Sequence, residues 1–209
     1  MARLNHSPTG HPLRHRHSAL RYFTLALMLC IALCAFGIGP VARAAPGDGN
    51  GITVEQQVKA ASLYRFIGYV EWPPPAFETA ASPYVIGIVG ADDIADELSR
   101  ISAGRTVNNR PLIVRKLKAA EPISGIHMLF IGRDERARQR QLLQSVQKQP
   151  VVTVTETEGA LEQGSMINFR LAEERVRFEV SLDAIERADL RVSSRMLSVA
   201  LSVSRASRP

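Results

Sequence analysis

From Val54 onward the chain alternates between two hydrophobic periods. Ala60, Leu63, Tyr64, Ile67 and Val70 recur at helical spacing, which predicts a helix over Val54–Val70. Glu71-Trp72 and then Pro73, Pro74 and Pro75 stop it, because proline lacks the N–H that a helix needs and restricts the residue before it. Tyr84–Gly90 (YVIGIVG) is apolar throughout and rich in β-branched residues, the pattern of a strand buried on both faces in a parallel sheet. Asp92–Ile101 reads as a short helix with Asp92 or Asp93 as its N-cap. Arg110–Leu117, His127–Gly132 and Val151–Glu156 predict three further strands. Between the last two lies a polar helix, Glu135–Gln147, whose inner stripe is Leu142, Leu143 and Val146. A small turn of helix is expected near Gly159–Gly164.

The last third changes period. Val176, Phe178 and Val180 alternate with Arg175, Arg177 and Glu179, and Met166–Leu171 alternates in the same way. Together Met166–Leu171 and Val176–Ser181 predict a hairpin around Ala172–Arg175. Closing helices are expected at Asp183–Ala188 and Ser194–Val203. Strands separated by helices imply crossover connections, while the hairpin implies an antiparallel part. The expected fold is α/β: a single three-layer domain, its mixed sheet carrying helices on both faces and a C-terminal antiparallel hairpin. No internal repeat or low-complexity segment interrupts it.

A four-residue hairpin loop sets Phe169 opposite Phe178 and Ile167 opposite Val180, so the inward face is consistent with itself. The outward face then opposes Arg170 to Arg177 and Asn168 to Glu179. Like charges directly opposed cost a few tenths of a kcal/mol or more unless something neutralises them. Two readings stand. The glutamates nearby balance a solvated sheet face, or this face docks an anionic ligand or an acidic partner surface. On the second reading the predicted partner-binding residues are Asn168, Arg170, Arg177, Glu179 and, at the start of the closing helix, Arg195.

Residues 1–44 have a different character. Arg3, Arg14, Arg16 and Arg21 make a basic start, Tyr22–Ile38 is almost wholly apolar, and Ala42-Arg43-Ala44 places small residues where a signal peptidase reads them. A cleavable signal peptide over 1–44 is expected, followed by a flexible start (45–52), the folded domain (53–204) and a short tail (205–209). The apolar run is about 17 residues, marginal for a membrane span, so an uncleaved anchor is the competing reading. Leu29 and Leu33 precede Cys30 and Cys34, which argues against a lipoprotein site.

Removing this leader reverses the electrostatic reading. It takes five of the 26 basic residues and none of the 20 acidic ones, so 21 basic residues remain and the net charge falls from +6 to about +1. A nucleic-acid footprint, which the whole-chain charge suggests, is absent from the exported chain. Both cysteines leave as well, so the exported protein has no thiol and no disulfide, and its stability rests on the core alone. About 165 residues suffice for one such core, burying roughly 70% of the unfolded surface.

Candidate chemistry is sparse. His127 is the single histidine outside the leader and opens a buried-looking strand, which favours a hydrogen-bonded structural role. No serine sits in a G-x-S-x-G elbow and no H-E-x-x-H ligand pair occurs. GIVGADD lacks the spacing of a dinucleotide turn. Asp92 and Asp93 are neighbours at a helix start, where the dipole explains them. Neither an enzyme nor a cofactor is expected.

The segments KAASLYRFIGYVEWP, YVIGIVGADD, GRTVNNRPLIVR, HMLFIG, PVVTVTETEG and GSMINFRLAEERVRFEVSLDAIERADLRVSSRMLSVA together resemble the YfiR-like family of periplasmic regulators. The similarity runs from about Val54 to Ala200. The resemblance implies a repressor that binds the periplasmic sensor part of an inner-membrane diguanylate cyclase and holds cyclic di-GMP synthesis down. Release would come when an outer-membrane partner, a lipoprotein, sequesters it; a homodimer is implied by the same resemblance. Members often carry a cysteine pair just before the HxLFI strand, where this chain has Gly125-Ile126-His127, so redox control of folding is excluded here. The competing reading, from a different class, is a periplasmic small-ligand-binding module. Solute receptors usually hold their ligand between two domains, and this chain has room for one.

N-terminal sequencing of the periplasmic fraction is expected to start at Ala45. An intact Met1 in the membrane pellet would establish the anchor instead.

Overall fold

The computed structural model describes residues 51–118 and 121–205, so the leader and its cysteines lie outside the described residues. The expected helix forms as α1 (Val54–Tyr69), opened by a capping box in which the Thr53 side chain and Gln56 satisfy each other's backbone N–H groups. Its buried stripe is Ala60, Leu63, Phe66 and Ile67, with Lys59 among them. The chain then makes β1 (Val70–Glu71), a 3-10 turn at Pro74–Ala76 and β2 (Tyr84–Val89). Next come α2 (Asp92–Ser102), β3 (Thr106–Val107), β4 (Arg110–Lys116) and β5 (Met128–Ile131). A 3-10 turn at Arg133–Glu135 leads into α3 (Gln139–Val146). The final elements are β6 (Val152–Thr155), β7 (Ile167–Ala172), β8 (Arg175–Ser181), α4 (Leu182–Arg187), β9 (Arg191–Val192), α5 (Ser194–Ser198) and β10 (Ser202–Ser204).

Eight strands form one mixed sheet in the order β10-β8-β7-β6-β5-β2-β4-β3. Its centre, β4, β2, β5, β6 and β7, is parallel, while β7 and β8 are antiparallel. A two-stranded ladder of β1 and β9 stands apart. One sheet face packs Ile86, Ile88, Phe130, Val154, Ile167 and Phe169 against α1, α2, α4 and α5. The other face packs Val89, Leu129 and Ile131 against Leu142, Leu143 and Val146 of α3. Three layers with helices on both faces therefore form, as the periodicity implies.

Five expectations need correction. Neither Asp92 nor Asp93 caps α2: Ala91 is its N-cap, and both aspartates lie in the first turn. The polar helix begins at Gln139 rather than Glu135, because Glu135, Arg136 and Arg138 bond three residues back in a tight turn first. The segment around Gly159–Gly164 is a series of turns with no helix. The hairpin loop is two residues, not four: Ala172 still pairs with Arg175, and Glu173 and Glu174 both take positive φ (51° and 58°). That is the handedness a two-residue hairpin demands, here imposed on residues that prefer otherwise. The register is unaffected, since the ladder only extends inward, and Phe169 faces Phe178 as expected. Finally, the closing helix ends at Ser198, and its second half becomes β10, an edge strand parallel to β8. Leu201 N donates to Phe178 O at 2.7 Å, starting that ladder.

Three short strands, β1, β3 and β9, have no counterpart among the expected elements. Asn108 and Asn109, both at positive φ, turn β3 back on β4. Asparagine tolerates this conformation better than most residues.

Trp72, at the end of α1, packs against the main core and forms a box with Phe77, Tyr84 and His127. Its indole Nε1 donates to the His127 carbonyl at 3.3 Å. It thus ties the helix end to the centre of the sheet. Trp72→Ala is expected to cost about 3 kcal/mol, the lower end for a large aromatic because the ring is only half-buried. Denaturant unfolding checks this; an unchanged midpoint would remove Trp72 from the scaffold.

Candidate functional site

The parallel strands β2, β5 and β6 end at one edge of the sheet, where open α/β folds place their binding crevice. Two loops meet there. A Cβ on Gly132 would stand 2.1 Å from the Gly90 carbonyl oxygen, and Gly90 itself has φ +66°, so this approach requires glycine at both positions. The loops bring Arg133 and Glu156 beside α1, which contributes Glu55 and Lys59.

These four residues form one ionic network. The Lys59 ammonium, its side chain 5% exposed, donates to both Glu55 and Glu156. Glu156, equally buried, also accepts from the Arg133 backbone N–H at 2.8 Å and from its guanidinium at 3.2 Å. Arg133 reaches Glu55 at 2.9 Å, which closes the ring. Two cations thus match two carboxylates. A buried charge is tolerated only with such pairing and hydrogen bonding. The Lys59 hydrogen bond, working against partial burial, holds the Glu55 carboxyl below its ordinary value. The charge of Glu156, together with its hydrogen bond, raises that of Arg133.

Clefts of about 410 and 340 Å³ flank the network, and both are lined by Glu55, Lys59, Arg133 and Glu156. The first adds Asp92, Asp93 and Asp134, so its rim is acidic. The second runs to Phe169, Arg170, Leu171 and Val176 of the hairpin. Glu156 already accepts three hydrogen bonds, and the Lys59 ammonium is held by two carboxylates. The arrangement clamps three elements, and its charged groups are engaged with one another. Among the described residues no group of three or more His, Cys, Asp or Glu is arranged to hold a metal ion.

Linear reading passed over this network because its central contact joins residues 97 positions apart. One signal was present: Lys59 lies four residues before Leu63, on the buried stripe of α1.

The predicted partner-binding residues do not share one surface. Arg170 and Arg177 are opposed as expected, and neither forms an ion pair among the described residues. Glu179 pairs across β7 with Asn168 and across the other side with Ser202 of β10. Asn168 corrects the expectation of an outward-facing residue: it is 1% exposed, and its side-chain oxygen accepts from Thr155 at 2.9 Å. The turns between β6 and β7 bury it, with Ser165 also bonded to Thr155. Arg195 is exposed on α5, which packs with α1 on the face of the sheet opposite to the Arg170–Arg177 pair.

Fold and site together describe a single α/β module whose ionic centre is internally paired. The chain belongs to the YfiR/HmsC-like family, whose model matches residues 56–201. Members of that family are periplasmic regulators in cyclic di-GMP signalling. A crystal structure of a conserved domain protein from Vibrio cholerae O1 biovar El Tor strain N16961 is similar to this chain with a TM-score of 0.50 and 10% identity. The match covers 71% of this chain and 60% of that one, and it bears on the fold alone. Among the described residues no helix is long and apolar enough to cross a membrane.

Lys59→Met is expected to destabilise by roughly 3–5 kcal/mol, because it leaves Glu156 buried with Arg133 as its only cation. Adding Glu156→Gln should cost less than the sum of the two single changes, which denaturant unfolding of the three variants measures. Additive costs would show that the two charges are not coupled.

Proposed function

We propose that this protein is a periplasmic regulator that binds the periplasmic sensor region of an inner-membrane diguanylate cyclase and inhibits it, lowering cyclic di-GMP. The observation that carries this reading is the family match over nearly the whole folded unit. An outer-membrane lipoprotein would relieve the inhibition by sequestering the regulator, and the regulator would act as a homodimer. The docking face we propose is the outer face of the β7–β8 hairpin with its exposed tip. Arg170 and Arg177 stand opposed there without a carboxylate between them, so an acidic partner loop would remove their repulsion. Binding of this kind weakens as added salt shortens the Debye length below about 10 Å.

A second reading, a small-ligand-binding module, is favoured by one feature: the crevice at the carboxyl ends of β2, β5 and β6 with its paired clefts. Ligand binding there would raise the unfolding midpoint of the isolated protein with no partner present.

Arg177→Ala is expected to lose repression of cyclic di-GMP while keeping the parental unfolding midpoint. Arg195→Ala, on the other side of the sheet, is expected to repress normally. Loss of repression in proportion to lost stability would make Arg177 part of the scaffold. Full repression by a stable Arg177→Ala protein would place the docking face elsewhere.

A further inference from the structure

His127 lies at the start of β5, 7% exposed, and is the only histidine among the described residues. Both ring nitrogens are engaged. The backbone N–H of Val85 points at Nδ1 from 3.1 Å, and Nε2 stands 3.1 Å from the Ala76 carbonyl oxygen. A backbone N–H can only donate and a carbonyl can only accept. Nδ1 must therefore carry a lone pair and Nε2 the proton, which makes the ring the neutral Nε2–H tautomer.

The bond to Ala76 joins the sheet to the chain segment between α1 and β2, while the bond from Val85 seats the ring on β2 within the sheet. Residues 72–83 form a strap over the ring. Phe77 stacks on it at 4.5 Å between centroids, and Trp72 and Tyr84 meet it edge-on. The guanidinium of Arg110, from β4, lies 3.9 Å above the Phe77 ring and donates to the carbonyls of Thr79 and Ser82 at 2.9 and 2.7 Å. The ring, the indole and Arg110 are thus the strap's ties to the sheet. The groups acting on His127 can be named element by element. The strap contributes Trp72 and Phe77, neither of which titrates; β2 contributes the Tyr84 phenol and β4 the Arg110 cation. Burial disfavours the charged ring most, the bond to the Ala76 carbonyl opposes that effect, and the Arg110 charge adds to burial, so that the ring is held below the ordinary histidine value.

A second proton would have to go on Nδ1, where it would point at the Val85 N–H. As an imidazolium the ring loses its seat on β2, because two N–H groups would face each other there, and it must turn, which draws Nε2 away from the Ala76 carbonyl. We infer that His127 is a pH-operated latch, which holds the 72–83 strap closed while neutral and releases it, with its aromatic cover, when protonated. Release also moves Trp72, Pro73 and Pro74, which form one wall of a cleft of about 660 Å³ completed by Glu71, Glu186, Asp189, Leu190 and Arg191. The latch therefore changes the shape of a surface cleft without using the Lys59–Glu156 network.

The direction with pH is set by the neutral native ring. The unfolded or released state takes up a proton more readily than the closed state, so closure is fully favoured above the ordinary histidine value of about 6.5 and weakens as pH falls below it. Trp72 is the only tryptophan of the chain and sits in the latch, so its fluorescence reads the strap directly.

The test uses the full chain, titrated from about pH 8 to pH 5, with tryptophan emission and far-ultraviolet dichroism recorded together. The expected result is a red shift of Trp72 emission with a midpoint below about 6.5, and no loss of secondary structure over the same range. Hydrogen exchange should quicken in residues 73–83 and stay slow in β2 and β5. His127→Asn, which keeps an acceptor for Val85 and cannot titrate, should abolish the shift. Arg110→Gln removes both a strap tie and the cation that opposes protonation, so it should move the midpoint to higher pH. The latch is overturned by emission that stays flat, by a shift that coincides with loss of far-ultraviolet signal, or by an Arg110→Gln midpoint equal to the parental one. Should His127→Asn fail to fold, the Arg110→Gln midpoint and the exchange of residues 73–83 in the parental chain decide the matter alone.

Discussion

Complete burial of the central strands is the constraint on which the remaining structure depends. Every residue of β5 and of β6 is buried, so neither strand has a face that can meet water. Parallel strands of this kind are stable only when helices cover both faces. Crossover connections supply that cover and bring the carboxyl ends of the parallel strands to the same edge of the sheet. The Gly90–Gly132 approach, the Arg133 loop and Glu156 all arise at that edge, and α1 must reach across it to close the layer. Lys59 travels with the apolar stripe of α1 into the core margin, and Glu55 and Glu156 make its burial tolerable.

The two halves of the sheet are used differently. On the β2–β5 side both faces are covered, by α1 and α2 on one and α3 on the other. Toward β8 and β10 only the α1 face is covered by helices, and the opposite face carries Arg170, Arg177 and Glu179. A sheet left open on one side must alternate, and the alternation of β7 and β8 is the trace of that asymmetry. The scaffold therefore sits in the continuous apolar strands, and the exposed charge in the alternating ones. Surface charges on the alternating strands can thus change without touching the core.

The box around His127 meets a similar constraint with few groups. One imidazole satisfies a backbone N–H of β2 and a carbonyl of the strap at once, and the rings of Trp72, Phe77 and Tyr84 fill the space that proline-rich chain cannot fill with hydrogen bonds. Three consecutive prolines make a helix stop but leave few backbone donors to anchor the strap. The anchoring falls to side chains, and one of them is an imidazole whose charged form burial disfavours.

Patterning alone determined the fold class, the position of nearly every long element and the hairpin register, because each rests on local period. Apolar runs demand burial on two faces, and Phe169 meets Phe178 whether the loop has two residues or four. The handedness of the turn at Glu173-Glu174 was not legible, since neither residue favours positive φ and only ladder closure imposes it. Nor was β10: Ser202–Ser204 has helix-compatible neighbours, and only the free edge of β8 makes it a strand. The candidate site depended most on tertiary structure. Asn168 alternates as though outward-facing and is buried by turns that carry no periodic signal. Lys59, Glu55, Arg133 and Glu156 are unremarkable as letters, and become a network only because three parallel strands end beside one helix. Periodicity reports which side of an element is buried; it carries no information about which distant element does the burying, and charge pairing is decided there.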